Sequence, residues 1–134
     1  YQAAVALAAL DGWPATRAEF VRVLCALRDA LAGVDGIVWP QGLGDGYAAS
    51  TACVGTRLPA PELAAQLASR GIETRRWWQD GLHGHDAFAA CPRTALPVTD
   101  HLAAHTLGLP CWQGMRAADV TRIARALRQC ADPF

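Results

Sequence analysis

The sequence contains no lysine, since all twelve of its basic residues are arginine. A chain without lysine has no side chain that can form a Schiff base with a carbonyl group, so that chemistry is excluded within this sequence. The twelve arginines are balanced by twelve acidic residues, which leaves no net charge to attract nucleic acid or an anionic membrane. No run reaches the roughly 18 consecutive apolar residues that a membrane helix requires. We therefore predict a soluble protein without a nucleic-acid or membrane partner.

Paired cysteine motifs are missing as well. The five cysteines are odd in number, and their spacing matches neither a Cys-x-x-Cys pair nor a metal finger. We therefore predict reduced, mostly buried thiols in a cytoplasmic protein. The five residues are Cys25, Cys53, Cys91, Cys111 and Cys130.

Apolar residues, in contrast, make up 52% of the chain, which is typical of one globular domain with its own core. The segment Ala3–Leu10 is apolar on every side, which predicts a short helix that must be covered all round. This segment lacks the basic flank of a signal peptide and has no capping residue before it. We therefore expect the chain to start inside a larger structure, with Asp11–Pro14 breaking the helix.

Two further helices are predicted from apolar residues at helical spacing. The first begins with a capping box at Thr16–Glu19 and ends at Gly33. Its apolar stripe consists of Phe20, Leu24, Leu27 and Leu31. The last helix has Arg116 where a serine or aspartate cap would suit. Its apolar face consists of Val120, Ile123, Ala124 and Leu127.

Between these helices, short strands alternate with two shorter helices. Strands are predicted at Ile37–Trp39, Ala52–Leu58 and Ile72–Arg75, and the glycine-rich segment Gln41–Gly46 is predicted to be a hairpin-like loop. The remaining segments are predicted as a helix from Pro61 to Gly71, a loop over 76–97, a helix from a Thr99 cap to Leu107, and an extended stretch at Leu109–Trp112. Helices on a small sheet make an α/β fold, in the form of an α+β sandwich.

Several landmarks in this order resemble the DegT/StrS-like sugar aminotransferase family. The most specific is Gly71-Ile72-Glu73-Thr74-Arg75-Arg76-Trp77-Trp78. It is followed by Leu82-His83 and Phe88, then by Leu96-Pro97-Val98-Thr99-Asp100 and Leu107-Gly108-Leu109-Pro110. The family shows a Gly-Ile followed by an aromatic residue, a Leu-His, a Leu-Pro before a Thr-Glu-like cap, and a second Leu-Pro.

The resemblance implies that residues 1–134 are the C-terminal small domain of a fold-type I enzyme, with a small, mostly antiparallel sheet packed with helices. Residues 1–12 would then be a remnant helix that joins it to a missing N-terminal large domain. Family members are usually homodimers that hold pyridoxal phosphate on a lysine of the large domain. They transfer an amino group, typically from glutamate, to a keto-sugar attached to a nucleotide. We expect this chain alone to bind no cofactor and to be inactive, because the lysine would lie upstream of Tyr1.

Four residues of the loop region are candidates for substrate binding, because guanidinium groups suit a pyrophosphate and an aromatic ring suits a sugar or base. They are Arg75, Arg76, Trp78 and His83. The alternative is that a tryptophan packs in the core while the arginines are solvated or paired with carboxylates. Alternation along a strand would send the two arginines to opposite faces. The family often has tyrosine where this chain has Trp77-Trp78 and proline where it has Gly81, which leaves the substrate's identity open.

Other motifs give weaker hypotheses. His83 and His85, with Cys91 nearby, suggest a metal site, but surface or hydrogen-bonded histidines explain them as well. Gly42–Gly46 lacks the third glycine of a dinucleotide loop and is better explained as a hairpin. Arginines along the last helix are most simply a solvated face. The rival to a sugar aminotransferase domain is a free-standing binding module of the same fold, and a metal-dependent hydrolase is a more distant alternative.

Overall fold

In a computed structural model of the chain, described over residues 1–44, 46–77 and 79–131, five helices pack with a three-stranded sheet. The helices are α1 (Gln2–Asp11), α2 (Trp13–Ala30), α3 (Ala60–Ala68), α4 (Pro97–His105) and α5 (Ala117–Ala131). The strands are β1 (Ile37–Val38), β2 (Ala52–Thr56) and β3 (Thr106–Leu109). Two short 3₁₀ turns, Leu82–Gly84 and Asp86–Phe88, lie between α3 and α4. No helix within these ranges is both long and apolar enough to cross a membrane.

The sheet is antiparallel throughout, with β2 between β1 and β3. Along β2, Ala52, Val54 and Thr56 are buried while the residues between them are half-exposed, which is the period of two expected of a strand with one face on a core. The hydroxyl of Thr56 is kept inside because it lies 2.7 Å from the Leu58 carbonyl oxygen and 3.1 Å from that of His105. The predicted α/β class with a small antiparallel sheet is confirmed.

The core lies between the sheet and the helices α2, α3 and α5. The apolar face predicted for α5 is buried at all four positions. In α2, Leu24 and Leu27 are buried and Phe20 is half-buried, and Leu31 is buried directly after the helix ends. Such stripes form because a residue recurs on the same side of a helix every three to four positions. The stripes therefore determine how these two helices pack.

The capping box predicted at Thr16–Glu19 is wrong. Gly12 has helical dihedral angles, and Pro14 occupies the first turn, so α2 begins at Trp13 and Thr16 lies inside it. The Glu19 carboxylate instead accepts hydrogen bonds from Arg22, which also donates to the Met115 carbonyl at 3.1 Å. Helix α2 ends at Ala30, three residues before the predicted stop, and Gly33 has the left-handed φ of +75° that favours glycine.

The third strand was also misplaced. The segment from Ile72 to Thr74 is not a strand, and only Arg75 forms a bridge, to Gly108. The third strand is instead β3, which includes residues that the sequence assigned to the end of a helix. Helix α4 starts at Pro97 with Leu96 as its N-cap residue, so Thr99 is not the cap. Proline suits the first helical turn because it has no N–H to leave unsatisfied.

The arginines of α5 are not simply a solvated face. Arg122 donates to the carbonyl oxygen of Gly71 at 2.9 Å, and Arg128 donates to that of Ala30. Ala30 is the last residue of α2, and Gly71 follows the end of α3. Carbonyl oxygens at the end of a helix have no hydrogen-bond partner inside the helix. At the start of α5, the Asp119 carboxylate accepts from the Arg116 N–H at 3.1 Å, which supplies the missing cap from inside the helix. Helix α5 therefore stabilises the ends of α2 and α3 as well as its own start.

Helix α1 is the exception to this packing, because none of its residues is buried by the described chain. Its exposed side chains include Val5, Leu7 and Leu10, which are each more than half exposed. The helix forms where the sequence predicted it, but the described residues do not pack over its apolar side chains. That a larger structure covers this helix therefore stays a prediction.

Candidate functional site

The segment that follows α3 runs beside the open edge of β3. Gly71 turns the chain with a φ of +68°, and Ile72 then anchors the segment in the core with 4% of its surface exposed. Arg75 pairs with Gly108 in both directions: its N–H donates to the Gly108 carbonyl at 2.9 Å and its carbonyl accepts from the Gly108 N–H at 2.7 Å. The Arg75 backbone is therefore fixed, and its side chain starts from a defined position.

Gly108 allows a close approach that a side chain at this position would disturb. A Cβ atom at this position would lie 3.1 Å from the Arg75 carbonyl oxygen and 3.2 Å from Cδ1 and Nε1 of Trp77. The Trp77 indole therefore lies directly over the strand. The guanidinium carbon of Arg75 is 5.9 Å from the centre of the Trp77 ring, within the range of a cation–π contact.

Arg75 and Trp77 form part of a cleft of about 470 Å³ between this segment, the end of β3 and the start of α5. A volume of this size lies in the range of small-molecule sites. A second indole, Trp112, stands on another wall and is 45% exposed. The cleft can thus present two aromatic faces and a guanidinium to one ligand.

Two further charged residues of the cleft are already bonded to the protein. Arg122 donates to the carbonyls of Arg70 and Gly71, which holds its guanidinium against the end of α3. Asp119 is bonded to Arg116, and these hydrogen bonds lower the pKa of its carboxyl. Over the described residues, the guanidinium of Arg75 forms no hydrogen bond or ion pair and contacts the Trp77 indole, so it is the cation best placed to meet an anionic ligand.

The thiol of Cys111 also lines the cleft, and burial raises its pKa to about 11. This is about two units above the ordinary value of 9.0, so the thiolate fraction at neutral pH is about 100-fold smaller. A thiolate with a high pKa is a better nucleophile, which offsets part of that loss. Cys111 therefore lines the cleft, and its thiol is not activated as a nucleophile by a lowered pKa.

Alkylation with iodoacetamide should show this difference. In the folded chain, Cys111 should react about tenfold or more slowly than the exposed Cys91. Peptide mapping by mass spectrometry at several reaction times measures both rates. In concentrated urea the two rates should become equal, and equal rates in the folded chain would contradict the burial of Cys111.

Arg76 points away from the cleft, as alternation of the two arginines predicts. Its Nη2 donates to the Gln79 carbonyl at 3.1 Å and lies 4.0 Å from an oxygen of Asp80. Its Nε is buried and has no hydrogen-bond partner among the described residues. Arg76 therefore does not share a cavity with Arg75.

His83 is bonded within the protein. Its Nε2 lies 2.6 Å from the Asp100 carboxylate in the first turn of α4, and Arg93 donates to its carbonyl at 2.6 Å. The side chain is 18% exposed and does not line the cleft. Trp78, the fourth candidate, lies outside the described residues. Of the three candidates that the structure describes, Arg75 lines the cleft, and Arg76 and His83 do not.

Gly81 explains one departure from the family pattern. Its φ is +70°, and a Cβ there would come within 2.6 Å of the His83 ring. Proline, whose φ is locked near −65°, is incompatible with this backbone. The glycine is therefore required by the way this loop holds His83.

The suggested metal ligands do not come together. His85 accepts a hydrogen bond from the Ala87 N–H at 3.2 Å, which caps a short 3₁₀ turn. Over the three described ranges, no group of three histidine, cysteine or acidic side chains is arranged to hold a metal ion. His83 and His85 thus act on the protein's own backbone and carboxylates.

Sequence reasoning missed Trp112 and Arg122 as walls of the cleft. Trp112 follows the second Leu-Pro landmark directly, and Asp119, Arg122 and Ile123 are spaced by three and four positions on α5. That spacing shows that the three share a helix face. It does not show which strand edge the face meets, so the cleft was not predictable.

Comparison with family models gives a match to the DegT/DnrJ/EryC1/StrS aminotransferase family over residues 1–128. Comparison with curated protein sequences gives no significant match. The chain is similar to a crystal structure of DesI with its TDP-sugar product, at 26% identity and a TM-score of 0.82, covering 93% of this chain and 33% of DesI. It is also similar to DesV from S. venezuelae in complex with a ketimine intermediate, at 26% identity and a TM-score of 0.80, covering 98% of this chain and 36% of DesV.

The aminotransferase PseC of Helicobacter pylori, involved in pseudoaminic acid biosynthesis, has a TM-score of 0.85 at 14% identity. At that identity the likeness concerns the fold alone. It covers 99% of this chain and 37% of PseC. The chain therefore spans about a third of the length of these solved structures.

Proposed function

We propose, since this chain belongs to the DegT/DnrJ/EryC1/StrS aminotransferase family, that it is the small domain of an enzyme that aminates a nucleotide-linked keto-sugar. The observation that carries the proposal is the family match over residues 1–128, together with coverage of only about a third of DesI and DesV. The TDP-sugar product in the DesI structure supports the substrate class. The whole enzyme would also include a large domain, act as a homodimer and work in the cytoplasm.

Pyridoxal phosphate, which the family implies, does not fit the residues of this chain. A covalent link to that cofactor requires a lysine, and the sequence has none. No step of cofactor chemistry is therefore assigned to these residues. The lysine and the phosphate site would belong to the large domain, and this chain alone would be inactive.

The role left to this domain is to hold the substrate, and the cleft around Arg75 suits it. A guanidinium can pair with a diphosphate through two parallel hydrogen bonds, and an indole can stack on a base or cover a sugar. Arg75 and Trp77 stand side by side in the cleft and offer both contacts. We therefore assign the nucleotide-linked sugar to this wall, with Arg75 as the anion-binding residue.

Arg76, Trp78 and His83 remain candidates for contact with the substrate from the same loop. His83, held by Asp100 at 2.6 Å, fixes the loop against α4 and so can set the position of the residues before it. The Nε of Arg76 is buried and has no hydrogen-bond partner among the described residues. Because buried polar groups normally have a partner, we expect a ligand or another domain to supply this hydrogen bond. Both residues would then act in the assembled enzyme.

In the full-length enzyme, Arg75→Ala should lower kcat/KM for the keto-sugar by about 10- to 100-fold, since a hydrogen bond to a charged group contributes about 1.5–3 kcal/mol. The absorbance of bound cofactor and the half-reaction with glutamate should stay unchanged. Arg125→Ala, on the exposed surface of α5, is the matched control and should behave as wild type. Equal kinetics of the Arg75 and Arg125 variants would reject the cleft as the substrate wall.

The variants Arg76→Ala and His83→Ala extend this test to the rest of the loop. Each should reduce turnover of the keto-sugar and leave the cofactor absorbance intact. Loss of the cofactor, or wild-type kinetics in both variants, would show that the two residues are purely structural.

A further inference from the structure

Two histidines of α4, His101 and His105, have stacked imidazole rings. His101 and His105 are four residues apart, so they lie one above the other on the same side of the helix. Their ring centres are 4.7 Å apart and their planes differ by 25°. The spacing is the one at which two imidazoles of a helix can bind the same metal ion.

The tautomer of His105 follows from its hydrogen bond. Its Nδ1 lies 2.9 Å from the backbone carbonyl oxygen of Thr56 in β2. A carbonyl can only accept, so Nδ1 carries the proton and the lone pair of the neutral ring is on Nε2. Metal-binding histidines are commonly oriented in this way, with the second nitrogen bonded to a carbonyl. The strand therefore presents Nε2 of His105 as a ready ligand.

The surroundings leave the pair accessible. Both histidines line a shallow groove that also includes Asp35 and Arg57, and His101 is exposed. Arg57 is bonded to Asp35 at 2.6 Å, so the charge of this arginine in the groove is offset by a carboxylate. Rotation of the exposed His101 ring about its side-chain bonds can bring a nitrogen toward the position that Nε2 of His105 faces.

We propose that His101 and His105 form a two-histidine binding site for a divalent transition-metal ion. Imidazole nitrogen selects copper, nickel or zinc over magnesium and calcium, and Cu²⁺ should bind most tightly. Water or a group from an incoming molecule fills the other positions of the ion, since no third histidine, cysteine or acidic side chain joins the pair among the described residues. The site is independent of sugar amination, because the histidines do not line the cleft of Arg75.

Metal titration of the 134-residue chain tests the proposal. All proteins carry Cys91→Ser, because that exposed thiol is a competing ligand. Isothermal titration with Ni²⁺ and with Cu²⁺ at neutral pH should show one ion bound per chain. His101→Ala should weaken binding about tenfold or more, and His85→Ala, which removes an exposed histidine elsewhere, should not change it.

A second variant and a second readout keep the test decisive. His105→Gln should also weaken binding, and its circular dichroism shows whether the fold survives loss of the contact with Thr56. Electron paramagnetic resonance of the Cu²⁺ complex should show coupling to two imidazole nitrogens, reduced to one in His101→Ala. Unchanged affinity in His101→Ala, or a spectrum without two nitrogens in the parent protein, would overturn the site.

Discussion

Incubation of the 134-residue chain with pyridoxal phosphate, followed by borohydride, should leave every side chain unmodified. The reduction traps the cofactor only on a primary amine, and the sequence offers no lysine. Intact mass and peptide mapping should therefore show no adduct other than on the α-amino group of Tyr1. The same preparation should transfer no amino group from glutamate to a keto-sugar.

A single added lysine provides the control. Arg17→Lys, at an exposed position of α2, should give a reducible adduct at high cofactor concentration and so prove that the method detects one. That adduct should be weak and non-saturable, because nothing there is built to hold a phosphate. A stoichiometric, saturable adduct on a side chain of the unmodified sequence would contradict the proposal that the cofactor is bound outside this chain.

Leu107→Ala should reduce the free energy of unfolding by about 3 kcal/mol. Leu107 lies in β3 with 0% of its surface exposed, opposite Val54 in the register of the sheet. Removing a fully buried leucine loses its transfer free energy and leaves a cavity in a closely packed interior, which costs about 2–5 kcal/mol. Urea denaturation followed by circular dichroism measures the change.

Leu102→Ala is the matched control, five residues earlier, where the side chain is 54% exposed. Alanine preserves the helical propensity of α4, so the free energy of unfolding should change by less than about 0.5 kcal/mol. Equal losses in the two variants would show that β3 does not lie in the core as described.

The helices that carry the core were predictable because their apolar residues repeat at helical spacing. In α5, Val120, Ile123 and Leu127 are buried as the pattern requires, since the periodicity of a helix assigns its face locally. The antiparallel sheet was expected from the family resemblance, and the structure confirms the class. The helices were predictable from short-range sequence patterns, and the sheet from the order of the family's motifs along the chain.

Features that depend on distant partners were not predictable from the pattern. Thr106–Leu109 is a strand because β2 pairs with it along its length. A segment as short as Thr-Leu-Gly-Leu does not distinguish a strand from the end of a helix by its pattern alone. Thr16 is not the N-cap of α2, because the helix already begins at Trp13, with Gly12 before it and Pro14 in its first turn. Both errors come from tertiary contacts and backbone angles that override local signals.

The candidate site divides in the same way. The alternation of Arg75 and Arg76 was predictable, because neighbours in an extended segment face opposite sides. The position of His83 against Asp100 was not, since the two are 17 residues apart and meet only when the loop folds onto α4. Arg122 was assigned to a solvated face because sequence alone does not show that the end of α3 lies beside α5.

The contacts of α5 also constrain when this domain can fold. Arg128 donates a hydrogen bond to the carbonyl oxygen of Ala30, 98 positions earlier in the sequence. The carbonyl oxygen of Met115, just before α5, accepts a hydrogen bond from Arg22, which lies 93 positions earlier. During synthesis, residues 13–109 therefore emerge from the ribosome before the helix that covers their apolar faces exists. Because closing such long loops costs entropy that only the completed core repays, the native structure forms late, after α5 has left the exit tunnel. Until then, α2 and α3 expose apolar stripes that a chaperone can bind.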